Sequence, residues 1–313
     1  MKISAIVPVV FEERCEDALN LASILSKQNQ DNVEIIIVVG KSLELYKKIS
    51  KAVEGKKLEG IKVIYNPGIW SLSSQRNFAI PFVSGEIIAF LDDDVLPLPS
   101  WAEEIRSSFR DCLVTGVTGP VEPLPSDGKI LVPKEISWVI SCTSWVNFYH
   151  NQTIPYGWGG NMAFRRSLFD NGVRFSLESG LGAKNKFLIC EDSDFAMKAT
   201  QVMGGKIVWN SKALVFHRMK SYRINWGYMV RRAFSVGYTR VYVRETSKIN
   251  KVAMESTTIK TLITRIPKRL LSKEVLKPKD EIISDFTLVV VLISLYLGFS
   301  YGSVSNWISR IVK

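Results

Sequence analysis

The chain has only four cysteines and two histidines among its 313 residues. The cysteines, at positions 15, 112, 142 and 190, are far apart and have no paired spacing. This distribution argues against a disulfide framework or a zinc site, so we expect reduced thiols in a cytosolic setting. The sequence also lacks internal repeats and low-complexity tracts, and its length fits one large globular domain or two smaller ones.

The first residues lack the pattern of a secretory signal. The apolar run Ile3–Val10 contains Pro8 and is followed at once by Glu12 and Glu13. A signal peptide needs an uninterrupted apolar stretch, so we interpret residues 3–7 as a first buried strand.

Charge is absent from a long segment near the C-terminus. No charged residue occurs from Phe286 to Ser309. As a helix, residues 286–304 would span about 28 Å, close to the thickness of the hydrocarbon core of a bilayer. We expect a single C-terminal transmembrane or interfacial anchor. A buried helix of a soluble protein is the alternative, because serines and glycines dilute the apolar signal.

Positive charge is concentrated just before this apolar segment. The net charge is +11, and the segment from Arg218 to Lys279 contains 16 Lys or Arg but only three acidic residues. Within it, Ile259–Leu270 alternates apolar and basic residues at helical spacing, interrupted by Pro267, as interfacial helices do. An anionic membrane surface explains both the charge and the apolar tail, whereas nucleic acid explains only the charge. We therefore expect a membrane partner, no nucleic acid, and a cytosolic globular part.

Apolar strand-like runs alternate with helix-like segments through the first 120 residues. The runs occupy residues 3–7, 33–39, 61–65 and 87–91, and the helical segments occupy 15–27, 43–53, 73–83 and 100–109. This alternation indicates an α/β fold with a mostly parallel sheet covered by helices on both faces.

The fourth of these runs ends in three consecutive carboxylates, Asp92, Asp93 and Asp94. Two carboxylates about 4 Å apart repel by roughly 4 kcal/mol at an effective dielectric of 20, so an unbalanced cluster would be costly. A divalent cation shared with a phosphate-bearing substrate would relieve this repulsion. Ligands of open α/β sheets gather at the carboxyl ends of the strands, where these residues fall. An acidic surface turn is the alternative.

Other polar and glycine residues accompany the acidic strand end in a characteristic order. They are Pro8, Glu12, Arg76-Asn77, Pro97, Trp101, Gly159-Gly160-Asn161, Glu191-Asp192-x-Asp194 and His217. Taken together, these landmarks resemble the family 2 glycosyltransferases over roughly residues 1–220. The resemblance implies a GT-A (Rossmann-like) fold and inverting transfer from a nucleotide sugar.

The resemblance also implies a role for each landmark. Asp92 and Asp94 match the Asp-x-Asp signature, in which Asp94 ligates Mg²⁺ or Mn²⁺ on the donor diphosphate and Asp92 reaches the ribose or the metal. His217 matches a third metal ligand. Asp192 matches the catalytic base, with Glu191 beside it. The residues implied in donor binding are Pro8, Glu12, Arg76, Asp92, Asp93, Gly159, Gly160 and Asn161.

Some of these residues have structural alternatives. A lone histidine such as His217 is often structural. Glu191 and Asp192 could simply be acidic residues at a helix N-terminus, which the helix dipole favours. Arg231 and Arg232 could close over the diphosphate or lie on a solvated helix face.

The chain departs from the family pattern at the end of its second strand. Relatives usually have Asp residues there for the base or ribose, whereas this strand ends in Val38-Val39-Gly40-Lys41-Ser42. The identity of the base therefore stays open. The Gln-x-x-Arg-Trp motif and multiple spans of processive members are also absent, which favours a single addition.

These observations predict a membrane-associated, metal-dependent, inverting glycosyltransferase of polysaccharide or glycolipid biosynthesis. Its acceptor would be a glycan or a lipid-linked molecule, and aromatic residues in 138–158 could line an apolar groove for it. The predicted domains are 1–220 (a nucleotide-binding half, 1–120, and an acceptor half, 121–220), a basic helical segment at 221–280 and an apolar anchor at 281–313. A sugar-1-phosphate nucleotidyltransferase and a non-catalytic sugar-nucleotide-binding scaffold are the alternatives.

Overall fold

The structure is a computed structural model that describes residues 1–28, 32–56, 58–68, 70–125, 132–183, 185–246 and 279–311. The chain divides into two compact units. The first comprises residues 1–124, 146–186 and 190–218, and the second comprises 125–145, 187–189 and 219–313. The domain limits given by the sequence stay a prediction, and the amphipathic segment 259–270 lies outside the described residues.

An eight-stranded sheet forms the centre of the first unit. In spatial order its strands are β3 (Ile61–Asn66), β2 (Val33–Gly40), β1 (Ile3–Val9), β4 (Ile87–Leu91), β9 (Asn161–Arg165), β6 (Val114–Thr118), β10 (Lys206–Trp209) and β8 (Gln152–Ile154). Strands β3, β2, β1 and β4 are parallel, as are β6 and β10. Strand β9 runs antiparallel to β4 and β6, and β8 runs antiparallel to β10. The predicted α/β class with a mostly parallel sheet is confirmed.

A second, three-stranded sheet consists of β5 (Val95–Pro97), β11 (Val215–Met219) and β7 (Val121–Pro125). Strands β5 and β11 are antiparallel, and His217 lies opposite Val95. This pairing brings His217 next to the acidic residues after β4, although 123 positions separate it from Asp94 along the chain.

Within the described residues of the first unit, six helices accompany the sheets. They are α1 (Cys15–Ser26), α2 (Leu43–Gly55), α3 (Leu72–Ala79), α4 (Trp101–Ser108), α5 (Arg166–Asp170) and α6 (Glu191–Met203). Helix α3 is shorter than the predicted 73–83 and continues as a 3₁₀ turn over residues 80–82. Pro81 explains this difference, because it lacks the N–H that an α-helix needs at that position.

Strand β1 is longer than the predicted residues 3–7 and includes Pro8, which was predicted to follow the strand. Pro8 lies opposite Val38 of β2, whereas pairing with β4 ends at Ile6. A proline without an N–H is tolerated here because β1 has a single neighbour at this point.

Aromatic side chains fill the core between the sheet and the helices. Phe90 of β4 lies within 5.0–6.5 Å of the rings of Phe169, Phe175 and Phe195. Phe175 and Phe195 stack with ring centroids 3.9 Å apart. This packing joins β4, which carries the acidic residues, to α6, which begins with Glu191 and Asp192.

The second unit contains two long helices, α7 (Trp226–Thr246) and α8 (Lys279–Ile311), and a 3₁₀ segment at Lys134–Ile140. Helices α7 and α8 pack against each other. Helix α8 contains a segment, Lys279–Trp307, that by length and composition could cross a membrane. A C-terminal apolar helix was predicted and is confirmed.

Candidate active site

The three aspartates after β4 lie at the carboxyl edge of the parallel strands, as predicted. Their side chains differ in exposure: Asp92 is 28% exposed, Asp93 is 14% exposed and Asp94 is 1% exposed. The acidic turn is therefore largely withdrawn from water. Burying ionised carboxylates is costly unless cations or hydrogen bonds compensate.

Arg14 supplies one compensating charge, and no pattern in the sequence predicts this role. It ends the 3₁₀ turn Glu12–Arg14 that follows β1, and its side chain is 5% exposed. Its guanidinium Nη1 contacts Asp94 Oδ2 and lies 3.7 Å from Asp93 Oδ1. Glu12, in the same turn, is exposed.

His217 contacts the same carboxylate from the small sheet. Its Nε2 lies 3.2 Å from Asp94 Oδ2, and the histidine side chain is 1% exposed. The backbone N–H of Arg218 donates to the carbonyl oxygen of Asp94 at 3.0 Å and ties β11 to this turn. The structure thus brings together His217 and Asp94, two of the three predicted metal ligands.

Arg76 of α3 joins the acidic turn to the second acidic motif. Its Nη2 lies 3.5 Å from Asp92 Oδ1, and its Nη1 donates to Glu191 Oε1 at 3.1 Å. Nη2 also donates to the carbonyl oxygen of Gly159 at 3.1 Å. Because the side chain is 1% exposed, it holds three separate segments together in a water-poor environment.

Glu191 and Asp192 begin helix α6. The preceding residue, Cys190, has a φ of 74°, a left-handed conformation that is unfavourable for residues other than glycine. Asp192 Oδ2 accepts a hydrogen bond from the N–H of Gly159 at 2.8 Å, and Oδ1 accepts one from the N–H of Ser193 at 2.8 Å. Glu191 therefore contacts Arg76 directly, whereas Asp192 joins the same site through Gly159, whose carbonyl oxygen accepts from Arg76.

Gly159 and Gly160 permit this close assembly. A Cβ atom at Gly159 would lie 2.7 Å from Arg76 Nη2, and one at Gly160 would lie 3.2 Å from Asp92 Oδ2. The two glycines thus leave room for side chains of this site.

Asn161 has a structural environment. Its side chain is fully buried, and its Oδ1 accepts from Trp101 Nε1 at 2.9 Å. Its Nδ2 donates to the carbonyl oxygens of Pro120 and Ala213, at 3.1 and 2.7 Å. These bonds tie the start of β9 to α4 and to two loops, so the contacts of Asn161 give no support to its predicted role in donor binding.

A cationic aromatic cluster lies at the ends of the neighbouring strands. Phe11 follows β1, Lys41 follows β2 and Trp70 follows β3. Lys41 Nζ is 5.6 Å from the centroid of the Phe11 ring and 5.0 Å from that of the Trp70 ring. The two rings form an edge-on pair with centroids 6.3 Å apart. Lys41 has a φ of 68°, so the cluster also includes a left-handed residue.

This cluster fills the edge where relatives usually have acidic residues. The missing Asp is visible in the sequence, but the cluster is not, because its members come from three different loops. Within the described residues, no group of three or more His, Cys, Asp or Glu side chains is arranged to hold a metal ion. Arg231 and Arg232 lie on α7 in the second unit, and their predicted closure over a diphosphate stays a prediction.

Comparison with known proteins identifies the family. The model of "Glycosyl transferase family 2" matches residues 4–173, which is more than half of the chain. The chain belongs to this family, and the predicted resemblance is confirmed. It is a glycosyltransferase, which disfavours the nucleotidyltransferase and scaffold alternatives.

Individual relatives are more distant. The chain is 21% identical over 243 residues to a glucosyl-dolichyl phosphate glucuronosyltransferase of Haloferax volcanii, covering 77% of this chain and 76% of the relative. The mannosyltransferase PcManGT of Pyrobaculum calidifontis, solved in complex with GDP-Man and Mn²⁺, superposes with a TM-score of 0.60 at 14% identity, covering 98% of this chain and 87% of that one. TarS of S. aureus in complex with UDP-GlcNAc gives a TM-score of 0.51 at 16% identity, covering 96% and 91%. These structures share the GT-A fold.

Proposed function

We propose that this chain is a metal-dependent, inverting glycosyltransferase that transfers one sugar from a nucleoside diphosphate sugar to a glycan or lipid-linked acceptor. The main supporting observation is the convergence of two acidic motifs on Arg76, which contacts both Asp92 and Glu191. The acidic turn Asp92–Asp94 suits binding of the donor diphosphate, and the Glu191-Asp192 pair suits activation of the acceptor. A single site can therefore combine both halves of the reaction.

The donor half would be held at the acidic turn by a divalent ion, Mn²⁺ or Mg²⁺. Asp94 Oδ2 and His217 Nε2, which are 3.2 Å apart, would hold the ion in place of the Arg14 guanidinium, which contacts the same carboxylate oxygen. Carboxylate oxygen and imidazole nitrogen are suitable donors for Mn²⁺, and Asp92 is near enough along the turn to assist. When bound, the ion would neutralise charge on the departing diphosphate.

The acceptor half would depend on Asp192. Its carboxylate would take the proton of the acceptor hydroxyl while the acceptor oxygen bonds to the anomeric carbon. The bond from that carbon to the diphosphate breaks on the opposite face, so the nucleoside diphosphate leaves and the configuration inverts. The N–H groups of Gly159 and Ser193 orient the Asp192 carboxylate for this role.

The membrane part of the proposal rests on the C-terminal helix and on the charge of the segment before it. Helix α8 is apolar enough to associate with lipid, and the preceding segment is strongly basic. The acceptor named for the Haloferax relative is lipid-linked, which supports a lipid-linked acceptor here. We propose that the catalytic unit works at the cytosolic face of a membrane.

The test exchanges Asp192 for asparagine. Asp192→Asn should lower the rate of sugar transfer by about 10²–10⁴-fold because the general base is lost, while donor binding is retained. Transfer is measured with nucleotide sugars and Mn²⁺, donor binding by calorimetry, and the anomeric configuration of the product by NMR.

The matched control is Asp194→Asn. Asp194 lies on the same helix, is 25% exposed and pairs with Lys198 at 2.6 Å, so this variant should transfer sugar at close to the wild-type rate. Full activity in Asp192→Asn, or a product with retained configuration, would refute the proposed mechanism.

A further inference from the structure

Helices α7 and α8 of the second unit lie side by side and point in the same direction. The rings of Trp226, the first residue of α7, and Phe286, the eighth residue of α8, stack with centroids 4.9 Å apart. One turn further along α7, the carbonyl oxygen of Val230 accepts a hydrogen bond from Ser294 Oγ of α8 at 2.7 Å. The contacts then continue toward the C-terminal ends of both helices. The parallel contact extends over about 16 residues, or roughly 24 Å.

Glycines allow the backbones of α7 and α8 to approach each other closely. A Cβ atom at Gly237 would lie 2.1 Å from the carbonyl oxygen of Leu295, and one at Gly298 would lie 2.0 Å from that of Phe234. Further along, a Cβ atom at Gly302 would lie 3.3 Å from Tyr238. The backbones are too close for a larger residue at Gly237 or Gly298. Helix α7 therefore lies directly against α8 along most of the apolar length of α8.

The opposite face of α8 carries large apolar side chains that remain exposed. They lie on one side of the helix, and each is more than half exposed: Ile282 57%, Ile293 55%, Tyr296 70%, Leu297 54%, Val304 56% and Trp307 65%. We call this set the outer stripe. By contrast, residues on the face toward α7, including Leu288, Val291 and Leu295, are buried.

A transmembrane orientation of α8 would carry α7 into the bilayer with it. Arg231, Arg232 and Arg240 of α7 lie within the stretch that accompanies α8, and Arg231 is exposed. Arginine is costly at the depth of the hydrocarbon core, and such residues usually mark water-filled pathways. An orientation in the plane of the interface avoids this cost, because only the outer stripe then enters lipid.

We infer that α8 does not cross the membrane and that it lies in the plane of the interface, with the outer stripe in the acyl region of an anionic bilayer. This inference rests on the membrane association in the proposed function and specifies its form. The catalytic unit and the C-terminus are then on the same side of the membrane.

The composition of the stripe and its surroundings favours lipid over a second copy of the chain. Tyrosine and tryptophan in the stripe are the residues enriched at membrane interfaces. The segment between α7 and α8 is strongly basic in sequence, which matches anionic headgroups and would repel an identical copy.

The first experiment determines the side of the membrane on which the C-terminus lies. Lys313→Cys is introduced into the full-length chain, and membranes from the expression host are prepared as inside-out and right-side-out vesicles. A membrane-impermeant maleimide is added, and labelled peptides are identified by mass spectrometry. Cys112, which is exposed on the first unit, is the internal reference, while Cys15 and Cys142 are buried.

We expect Cys112 and the cysteine at 313 to be labelled in the same vesicle preparation and protected in the other. Labelling in opposite preparations would show that α8 spans the membrane and would overturn the inference while leaving membrane association intact. Recovery of the chain in the soluble fraction would overturn both the in-plane orientation and the membrane association. A soluble dimer, detected by light scattering, would then show that a second copy of the chain covers the outer stripe.

The second experiment tests the outer stripe itself. Tyr296→Lys should reduce co-flotation with vesicles of phosphatidylglycerol and phosphatidylcholine by about tenfold, because an apolar contact with lipid is lost. Leu113→Lys is the matched control, since Leu113 is 63% exposed on the first unit and should not change flotation. Equal flotation of both variants would overturn the role of the stripe.

Discussion

At the scale of single residues, two buried arginines determine the electrostatics of the candidate site. Arg14 neutralises Asp94 and lies near Asp93, whereas Arg76 lies between Asp92 and Glu191. Both side chains are at most 5% exposed. Removing one partner of a buried ion pair leaves an uncompensated charge, which is far more costly than losing a surface pair.

The first prediction concerns Arg14. Arg14→Met should lower the free energy of unfolding by about 3–5 kcal/mol without metal, because the Asp94 carboxylate loses a buried cationic partner. Mn²⁺ should recover part of this loss and bind more tightly than to the wild type, since the guanidinium no longer competes for the same oxygen. Urea unfolding with and without Mn²⁺, together with calorimetry, measures both effects.

Arg110→Met is the control for Arg14. Arg110 pairs with Glu103 at 3.3 Å, but its side chain is 75% exposed, so the change should cost less than about 1 kcal/mol and should not respond to Mn²⁺. Equal responses of the wild type and Arg14→Met to Mn²⁺ would contradict competition at Asp94.

The cationic aromatic cluster gives the second prediction at this scale. We expect the donor base to stack on the Trp70 ring. Trp70→Ala should then weaken the binding of nucleoside diphosphates by about tenfold or more, because stacking of a base on an aromatic ring contributes about 1–3 kcal/mol. Phe82→Ala is the matched control and should not change nucleotide binding. Lys62 Nζ lies 5.0 Å from the Phe82 ring in a similar pair that is remote from the acidic turn. Unchanged nucleotide affinity in Trp70→Ala would exclude the cluster as the base site.

At the scale of secondary structure elements, Glu34 joins β1 and β2 to the turn before β4. Burial alone would raise the pKa of the Glu34 carboxyl, but hydrogen bonds from Ser4 and Ser84 and the charge of Lys2 outweigh it and lower the pKa. Ser84 Oγ donates to Glu34 Oε2 at 2.7 Å, and the N–H of Gly85 donates to Oε1 at 3.2 Å. The ionised carboxylate thus stabilises the edge opposite the candidate site.

A depressed pKa in the folded state gives a defined pH dependence. The stabilisation by Glu34 is present above its unfolded pKa of about 4.3 and is lost as the pH falls through the lower folded value. Glu34→Gln should therefore be less stable than the wild type by about 1.5–3 kcal/mol at neutral pH, and the difference should shrink on acidification below about pH 4. Urea unfolding across this range measures it. Glu59→Gln, at an exposed position, should change little, and a constant difference for Glu34→Gln at all pH values would contradict the argument.

The elements also differ in how far the sequence determines them. Strands β2, β3 and β4 are close to their predicted limits because each is a short, mostly apolar run bounded by polar or glycine residues. Strand β9 had no such signal: Asn161–Arg165 becomes a strand only because β4 and β6 lie on either side of it. Short strands of this kind depend on partners that are distant in sequence, so local patterns do not reveal them.

In the candidate site, too, some residues could be predicted from local sequence patterns and others could not. The acidic triplet and the Glu191-Asp192 pair were visible as motifs, because carboxylates at element ends stand out against apolar runs. Arg14 was not, because a single basic residue in a loop has no pattern of its own. Its importance follows from the burial of Asp94, which only the assembled sheet creates.

At the scale of the whole molecule, the positive charge is concentrated in one segment of the chain. Residues 218–279 contain 16 Lys or Arg and three acidic residues, so the remainder is nearly neutral despite the net charge of +11. The catalytic unit is therefore not itself a strong polycation. Attraction to an anionic surface should depend mainly on the basic segment.

Removing positive charge from the basic segment should weaken binding to anionic membranes. Replacing Lys268 and Arg269 by glutamine should weaken binding to phosphatidylglycerol vesicles by roughly 30-fold at low salt, since each basic residue contributes about 1 kcal/mol. The effect should diminish at high salt, where screening is strong. Vesicle co-sedimentation at several salt concentrations measures it. Lys47→Gln with Lys48→Gln, exposed on α2, removes the same charge elsewhere and should have little effect, and similar losses in both variants would contradict a localised basic segment.

The contacts of Arg76 have a consequence for biosynthesis. They connect acids that emerge from the ribosome far apart in time, since Asp92 precedes Glu191 by 99 positions in the sequence. His217, which contacts Asp94, is synthesised later still. A nascent chain therefore cannot complete the candidate site until almost the whole first unit has left the exit tunnel, shortly before the apolar segment of α8 is made.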